Sequence, residues 1–178
     1  MSAGALTSEI MKRQYERTSR RIDSGQIDPA LRTAIATHAQ ANQLGDVLGD
    51  AIAGCETRSV RLSRPGLLAR VTGSGDPDTE HRSVALYTPG YLIIAITGVN
   101  RGTHVRSARL DGVSAGTSAL AAQFGQVDGG DSGVSVTGLW SGETRDAATS
   151  FYLGLGGDAD GKAFLTDLRA AITTAKTS

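Results

Sequence analysis

Residues 82–98, RSVALYTPGYLIIAITG, decide the fold because they predict two adjacent antiparallel strands. Residues 88–90 (TPG) belong to the types that favour tight turns, and an apolar run stands on either side of them. A connection this short makes the two runs pair in opposite directions. The segment therefore predicts a β-hairpin with strands at 84–87 and 91–97.

More strands and a helix follow the hairpin along the chain. The turn at residues 98–102 (GVNRG) leads into an alternating stretch at 104–110, and further strands are predicted at 134–140 and 149–155. The last segment, 160–174, carries its apolar residues on one face, as an amphipathic helix does. Such a helix can cover the apolar surface that a curved antiparallel sheet leaves open.

The amino-terminal part predicts helices. Residues 8–22 carry a narrow apolar stripe at spacings of four and seven, which is typical of one helix face. Asp28 and Pro29 form a good helix start, because Asp accepts hydrogen bonds from free amides and Pro has no amide to satisfy. Apolar residues then recur at helical steps through 44–52, with room for a break at 40–43.

The order of the later elements resembles that of the bacterial pleckstrin-homology-like domains. The likeness is carried by RSVALYTPGYLIIAITG (82–98), HVRSARLDGVS (104–114), GVSVTGLWSG (133–142) and ATSFYLGLGG with DADGKAFLTDLRAAI (148–172). It covers residues 54–177 and implies an α+β fold, an antiparallel β-barrel or sandwich capped by the carboxyl-terminal helix. On this basis we expect two parts, a helical N-terminal extension at 1–53 and a pleckstrin-homology-like β domain at 54–178.

In that family the fold serves mostly as a binding scaffold, so the resemblance implies a module that binds or assembles rather than one that catalyses. Relatives that hold phosphoinositides use Lys and Arg in the loop after the first strand. Here the corresponding loop carries Asp76, Asp78 and Glu80, which argues against that use.

The charge balance argues against a nucleic-acid partner. The chain holds 18 Lys and Arg and 18 Asp and Glu, so it has no excess of positive charge for neutralising phosphates. Cys55 is the only cysteine, which excludes an internal disulfide and is compatible with a reducing compartment. The first residues, MSAGALTSEIMKRQ, contain no apolar run of signal-peptide length, so we expect a cytoplasmic protein.

The stretch GLGGDADGKAF (154–164) is close to a phosphate-binding loop but lacks two of its requirements. Ala163 stands where such a loop has the Ser or Thr that binds magnesium, and Asp158 and Asp160 would put negative charge where phosphate lies. A calcium loop is poorly matched too, because Arg169 occupies the position of its final Glu. The stretch instead predicts a strand-to-helix turn in which Asp158 or Asp160 caps the helix.

A serine-protease interpretation rests on GDSG (130–133). The order His38, then Asp76 or Asp78, then Ser132 matches that of the trypsin-like proteases. The residues around His38 predict a helix, however, and the tetrapeptide is typical of a β-turn. We therefore assign no catalytic residue.

Three residues form the best candidate for an anionic contact. Arg101, His104 and Arg106 cluster around one turn, and alternation puts His104 and Arg106 on the same side of their strand. The contact would be an anionic membrane surface or an acidic patch of a protein, and the basic stretch 12–21 offers a second such surface. No cofactor or metal is expected, because the three histidines lie far apart with no other metal ligand at suitable spacing.

Two functions from different classes remain open. The first is a non-catalytic module for protein–protein interaction or self-association, with the helical extension or a sheet edge as its surface. The second is a small-ligand-binding protein, or an enzyme, with a pocket between the sheet and the carboxyl-terminal helix. The polar groups available to such a pocket are Tyr87, Tyr91, Trp140 and Tyr152.

Overall fold

The computed structural model describes residues 15–62, 77–116, 132–141 and 147–178. The first half of the helix predicted at 8–22, and the candidate Asp76, lie outside these ranges. The described strands and α-helices, in chain order, are β1 (Tyr15–Ile22), α1 (Pro29–Ala41), β2 (Ala53–Arg61), β3 (Glu80–Tyr87), β4 (Tyr91–Gly98), β5 (Gly102–Arg109), β6 (Ser114–Gly116), β7 (Gly133–Gly138), β8 (Thr149–Gly154) and α2 (Ala159–Thr177).

The strands form two antiparallel sheets. The larger sheet has the order β1-β2-β3-β4-β5, so each strand pairs with its neighbours in sequence. The predicted hairpin is confirmed as β3 and β4, with Ala85 opposite Ile94 and Tyr87 opposite Leu92. The smaller sheet has the order β6-β7-β8. Together with α1 and α2, the two sheets give an α+β fold.

The central strands of the larger sheet are apolar on both faces. One face turns toward the smaller sheet and α2, where Ile94, Val136 and Phe164 are fully buried in a common cluster. α1 covers the opposite face at β4 and β5, and its Ile35 lies in a second cluster with Ile93. Each such buried side chain stabilises the fold by about 1.5–3 kcal/mol relative to an exposed one.

The predicted β-barrel is wrong, because the two sheets do not close into one. At one edge of the larger sheet, the backbone N–H groups of Ser19 and Arg21 in β1 donate to carboxylates of the loop before α2 instead of to another strand. At the other edge, Ser141 N donates to Ser107 O, but within the described residues β5 forms no ladder with the smaller sheet. Side chains at one edge and an isolated backbone contact at the other thus replace the strand pairing of a barrel.

The predicted helical N-terminal extension is also wrong. Residues 15–22 form the edge strand β1. In the described ranges, one α-helix precedes β2, and this helix, α1, has 13 residues. Arg17, Ser19 and Arg21 alternate on the inner side of β1, where they bond to Ser132, to Thr57 and to α2. Because these inner side chains are polar, the alternation left no apolar signal in the sequence.

The second predicted helix begins where expected but ends early. Asp28 caps α1 through hydrogen bonds from its first turn, and Pro29 is the first helical residue, as predicted. Gln43 and Gly45 take positive φ angles of 55° and 80°, and this left-handed conformation turns the chain out of the helix. Residues 44–52 therefore form turns, and the prediction of helix there is wrong.

Candidate functional site

Carboxylates at the start of α2 fix the position of this helix. Asp158, its N-cap, accepts a hydrogen bond from Gly161 N at 2.9 Å and another from Ser19 N at 2.7 Å. Asp160 accepts from Arg21 N at 3.0 Å. The predicted strand-to-helix turn is thus confirmed, and its two carboxylates bind backbone amides of β1.

An ion pair extends this contact along α2. Arg21 Nη1 lies 2.6 Å from Asp167 Oδ2, about two turns into the helix. α2 packs across the inner face of the larger sheet, where Phe164 and Leu168 are fully buried. The carboxyl-terminal half of α2 then faces the turn that joins β3 to β4.

A groove of about 650 Å³ lies between α2, the β3–β4 turn and a short helical turn at Leu110–Gly112. We call it the α2 groove. Most of the side chains that line it are apolar or small, and they include Ile52, Tyr87, Pro89, Leu110, Ala170, Ala171, Thr174 and Ala175. Small residues on α2 leave open the space that longer side chains would fill. Of the polar groups named for a pocket from the sequence, Tyr87 lines the groove, while Tyr91, Trp140 and Tyr152 lie elsewhere.

Local hydrogen bonds hold the turn that forms one wall of the α2 groove. Thr88 is buried, and its Oγ1 accepts from Gly90 N at 3.3 Å and from Tyr91 N at 3.0 Å. Gly90 O accepts from Leu110 N at 2.8 Å, which ties the wall to the adjacent helical turn. Side-chain bonds of this kind satisfy the backbone where a strand ladder ends. The wall is therefore held by hydrogen bonds within the protein.

Tyr87 forms the floor of the α2 groove. The residue is 5% exposed, and its ring packs against Phe164 with 6.1 Å between the centroids. Its hydroxyl has no hydrogen-bond partner among the residues that the structure describes. Burial raises the pKa of Tyr87, and the charge of Asp167 adds to this rise while that of Arg21 opposes it. The phenol therefore stays protonated near neutral pH and can donate a hydrogen bond into the groove.

Two ion pairs stand at the rims of the α2 groove. Arg109 Nε lies 3.1 Å from Asp111 Oδ1, and its Nη2 lies 2.8 Å from Oδ2. This bidentate pairing raises the pKa of Arg109 and lowers that of Asp111. At the other rim, Arg21 pairs with Asp167. Each rim thus holds one positive and one negative charge in direct contact.

Ile52 places an apolar side chain in solvent beside the α2 groove. It is 60% exposed, and it also lines a second cavity of about 200 Å³ whose apolar walls include Ile22, Ile27 and Leu86. Ile52 therefore stands between two cavities and joins their apolar linings. Together with the walls of the α2 groove, Ile52 extends a continuous apolar surface, and such surfaces rather than single exposed residues mark binding sites.

The three residues predicted to form an anionic contact have separate partners. Arg101 Nε donates to Asp78 Oδ2 at 3.2 Å, and His104 Nε2 lies 2.8 Å from Arg101 O. Arg106 lies over Phe151, with 4.2 Å between Cζ and the ring centroid. The structure thus brings Arg101 and His104 together and directs Arg106 to an aromatic ring. An anion bound at these residues stays a prediction.

The residues of the trypsin-like interpretation also have separate partners. His38 Nε2 lies 2.9 Å from Ser107 Oγ, between α1 and β5, where Ser107 is fully buried. Burial lowers the pKa of His38. Asp78 accepts a hydrogen bond from Asn100 N at 2.7 Å. The backbone carbonyl of Ser132 accepts a hydrogen bond from the guanidinium of Arg17 in β1. His38 therefore connects a helix to a strand in the interior.

Cys55 belongs to the inner core. It is buried, and burial raises the pKa of its thiol. A protonated thiol without access to solvent acts as a small apolar side chain. Within the described ranges, no group of three or more His, Cys, Asp or Glu side chains is placed to hold a metal ion.

Comparisons with protein-family models, with curated proteins and with solved structures find no match to this chain. The resemblance to pleckstrin-homology-like domains therefore stays a prediction. None of the helices in the described ranges combines the length and the hydrophobicity that a membrane crossing requires.

Sequence reasoning missed most of the α2 groove. Its walls come from separate segments, namely Ile52, residues 87–90, residues 109–111 and the last half of α2. The available signal was the group of small residues Ala170, Ala171, Thr174 and Ala175, on a helix whose other face is apolar. Small residues on a helix indicate that another segment or a ligand comes close to the helix, but they do not identify which one.

Proposed function

We propose that this protein is a binding module that holds an apolar ligand in the α2 groove. The observation that carries the proposal is the groove itself, about 650 Å³ of space over a floor that includes Tyr87 and Leu110. Cavities of about 300–1,000 Å³ with mostly apolar walls and a few polar groups are typical of ligand sites.

The polar groups of the α2 groove support binding rather than catalysis. A general base has to be unprotonated near neutral pH and free to take a proton from the substrate. The raised pKa of Tyr87 keeps its phenol protonated, and the carboxylates of Asp111 and Asp167 are engaged by arginines. These groups can orient a ligand, and the ion pairs compete with any proton transfer to the two carboxylates.

An uncharged fluorescent dye tests the proposal. N-phenylnaphthylamine brightens in apolar surroundings, and we expect the wild type to bind it. Ala170→Leu fills the groove and should weaken binding about tenfold or more. Ala163→Leu is the matched control, an exposed alanine about two turns earlier on α2 and outside the groove, and it should bind as the wild type does. Equal binding by the Ala170→Leu variant, or none by the wild type, would contradict the proposal.

The exposure of Ile52 favours a second candidate, in which the α2 groove and Ile52 together bind a protein, including a second copy of the chain. Light scattering over a concentration series tests self-association. A dimer that Ile52→Ser returns to monomer would support this candidate. A monomer at every concentration would rule out self-association and leave the groove to another ligand.

A further inference from the structure

The hydroxyl of Tyr87 is a donor that makes no hydrogen bond to any of the residues that the structure describes. Tyr87 is 5% exposed, and a buried tyrosine usually finds a hydrogen-bond partner for its O–H. The carboxylate whose charge acts on it, Asp167, is engaged by Arg21 at 2.6 Å. Tyr87 lines the α2 groove, so its donor is available to whatever occupies the groove.

The charges at the rims restrict the occupant further. Arg109 is paired with Asp111, and Arg21 with Asp167, so the positive and negative side-chain charges of each pair compensate one another. A charged ligand would lose hydration on entering a mostly apolar groove and would gain no uncompensated partner in return. An uncharged ligand avoids this loss. The paired charges and the apolar walls therefore favour an uncharged ligand over an ion.

We infer that the ligand of the α2 groove is an uncharged, mostly apolar small molecule with a hydrogen-bond acceptor that meets the Tyr87 hydroxyl. The inference rests on the proposed function and narrows it to one class of ligand. The apolar body contacts Ile52, Pro89, Leu110 and the alanines of α2, and the acceptor lies at the floor. The phenol can supply the donor because a tyrosine is protonated near neutral pH, and burial raises its pKa further.

Three probes of similar length test the charge requirement in the full chain. Methyl hexyl ketone is uncharged and offers a carbonyl acceptor, octanoate is an anion, and octylammonium is a cation. Titrations followed by two-dimensional amide NMR give an affinity for each probe and show which amides respond. We expect the ketone to bind most tightly and to shift the amides of Ile52, Gly90 and Ala171.

Tyr87→Phe tests the hydrogen bond. This variant removes the hydroxyl and keeps the ring against Phe164, so the fold and the groove are retained. We expect its affinity for the ketone to fall about threefold to tenfold, the effect of one lost hydrogen bond. N-phenylnaphthylamine, which has no comparable acceptor, should bind the variant and the wild type equally, and this shows that the groove is intact.

The outcomes separate the inference from the proposed function. If the dye binds but the charged probes bind as tightly as the ketone, or Tyr87→Phe leaves ketone affinity unchanged, the ligand class is wrong while the binding function stands. If neither the dye nor the ketone binds, both are wrong. Tight ketone binding that depends on Tyr87 supports both.

Discussion

The carboxylate of Asp158 accepts a hydrogen bond from the backbone N–H of Ser19, with 2.7 Å between Oδ2 and N. The other oxygen of this carboxylate accepts from Gly161 N at 2.9 Å and so caps α2. One side chain therefore covers the free edge of β1 and begins the helix that forms a wall of the α2 groove. Asp160 makes a second bond of the same kind to Arg21 N.

Replacing Asp158 by Ala should lower the free energy of unfolding by about 2 kcal/mol, because a helix cap and an edge hydrogen bond are lost together. The matched variant Asp158→Asn keeps one acceptor oxygen and should lose less. Urea unfolding, followed by the fluorescence of the only tryptophan, Trp140, measures both variants. An Ala variant as stable as the wild type would contradict the role given to this carboxylate.

His38 should make the protein less stable as the solution becomes mildly acidic. Burial lowers its pKa below the ordinary value of 6.5, so the unfolded chain takes up a proton first as the pH falls through 6.5. Stability should therefore fall from that pH downward, until the pKa of the folded state is passed. His38→Gln keeps a hydrogen-bonding group for Ser107 but does not titrate.

The measurement for His38 is the difference in unfolding free energy between about pH 7.5 and about pH 5.5, in the wild type and in His38→Gln. We expect a larger loss in the wild type. The same loss in both proteins would show that another group carries this part of the pH dependence.

Asp78 should carry part of the stability near and above pH 4. Burial alone would raise its pKa, but hydrogen bonds from Asn100 and Arg101 outweigh burial and bring the pKa below the ordinary value of 3.8. A carboxylate with a lowered pKa stabilises the fold above 3.8 and loses this effect as the pH falls through the pKa of the folded state.

The variant Asp78→Asn tests this pH dependence, because its side chain has a similar shape and no charge. We expect it to be less stable than the wild type at neutral pH, and the gap to narrow as the pH falls below 3.8. The unfolding midpoint in urea, measured over an acid series, gives the gap at each pH. A gap that stays constant down to about pH 2 would contradict the assignment.

Ile52 should matter for binding and not for stability. Its side chain is mostly in solvent, so Ile52→Ser should change the free energy of unfolding by no more than about 0.5 kcal/mol. Dye affinity should fall about threefold, because apolar contact is lost at the rim of the α2 groove. Val99→Ser is the matched control, since Val99 is 94% exposed on the β4–β5 turn. Equal dye binding by both variants would argue against Ile52 as part of the site.

The hairpin and α2 could be predicted from the sequence because their signals are local. Alternation around the TPG turn defines β3 and β4, and the spacing of Phe164, Leu168 and Ile172 defines the buried face of α2. β1 could not be recognised, because the partners of Ser19 and Arg21 are carboxylates more than a hundred residues away. A strand with a polar inner side shows no apolar alternation, and the stripe of Tyr15 and Ile22 then favoured a helix.

The separation of the two sheets and the α2 groove could not be predicted from the sequence for a related reason. Whether two sheets close depends on what pairs with their edges, and here Asp158 and Asp160 occupy one edge. The groove depends on how α2 lies against the β3–β4 turn and on Ile52, which comes from a segment predicted to be helical. The sequence offers Tyr87 as a candidate, but only the structure shows that none of the described residues forms a hydrogen bond with its hydroxyl.

The most direct test of the α2 groove as the binding site is to identify the residues that a bound probe contacts. Intermolecular nuclear Overhauser effects between methyl hexyl ketone and the methyl groups of the wild-type protein report that contact. We expect contacts to Ile52, Ala171 and Ala175, which line the groove. Contacts confined to Val99 or Leu139, which are exposed apolar residues elsewhere on the surface, would contradict it.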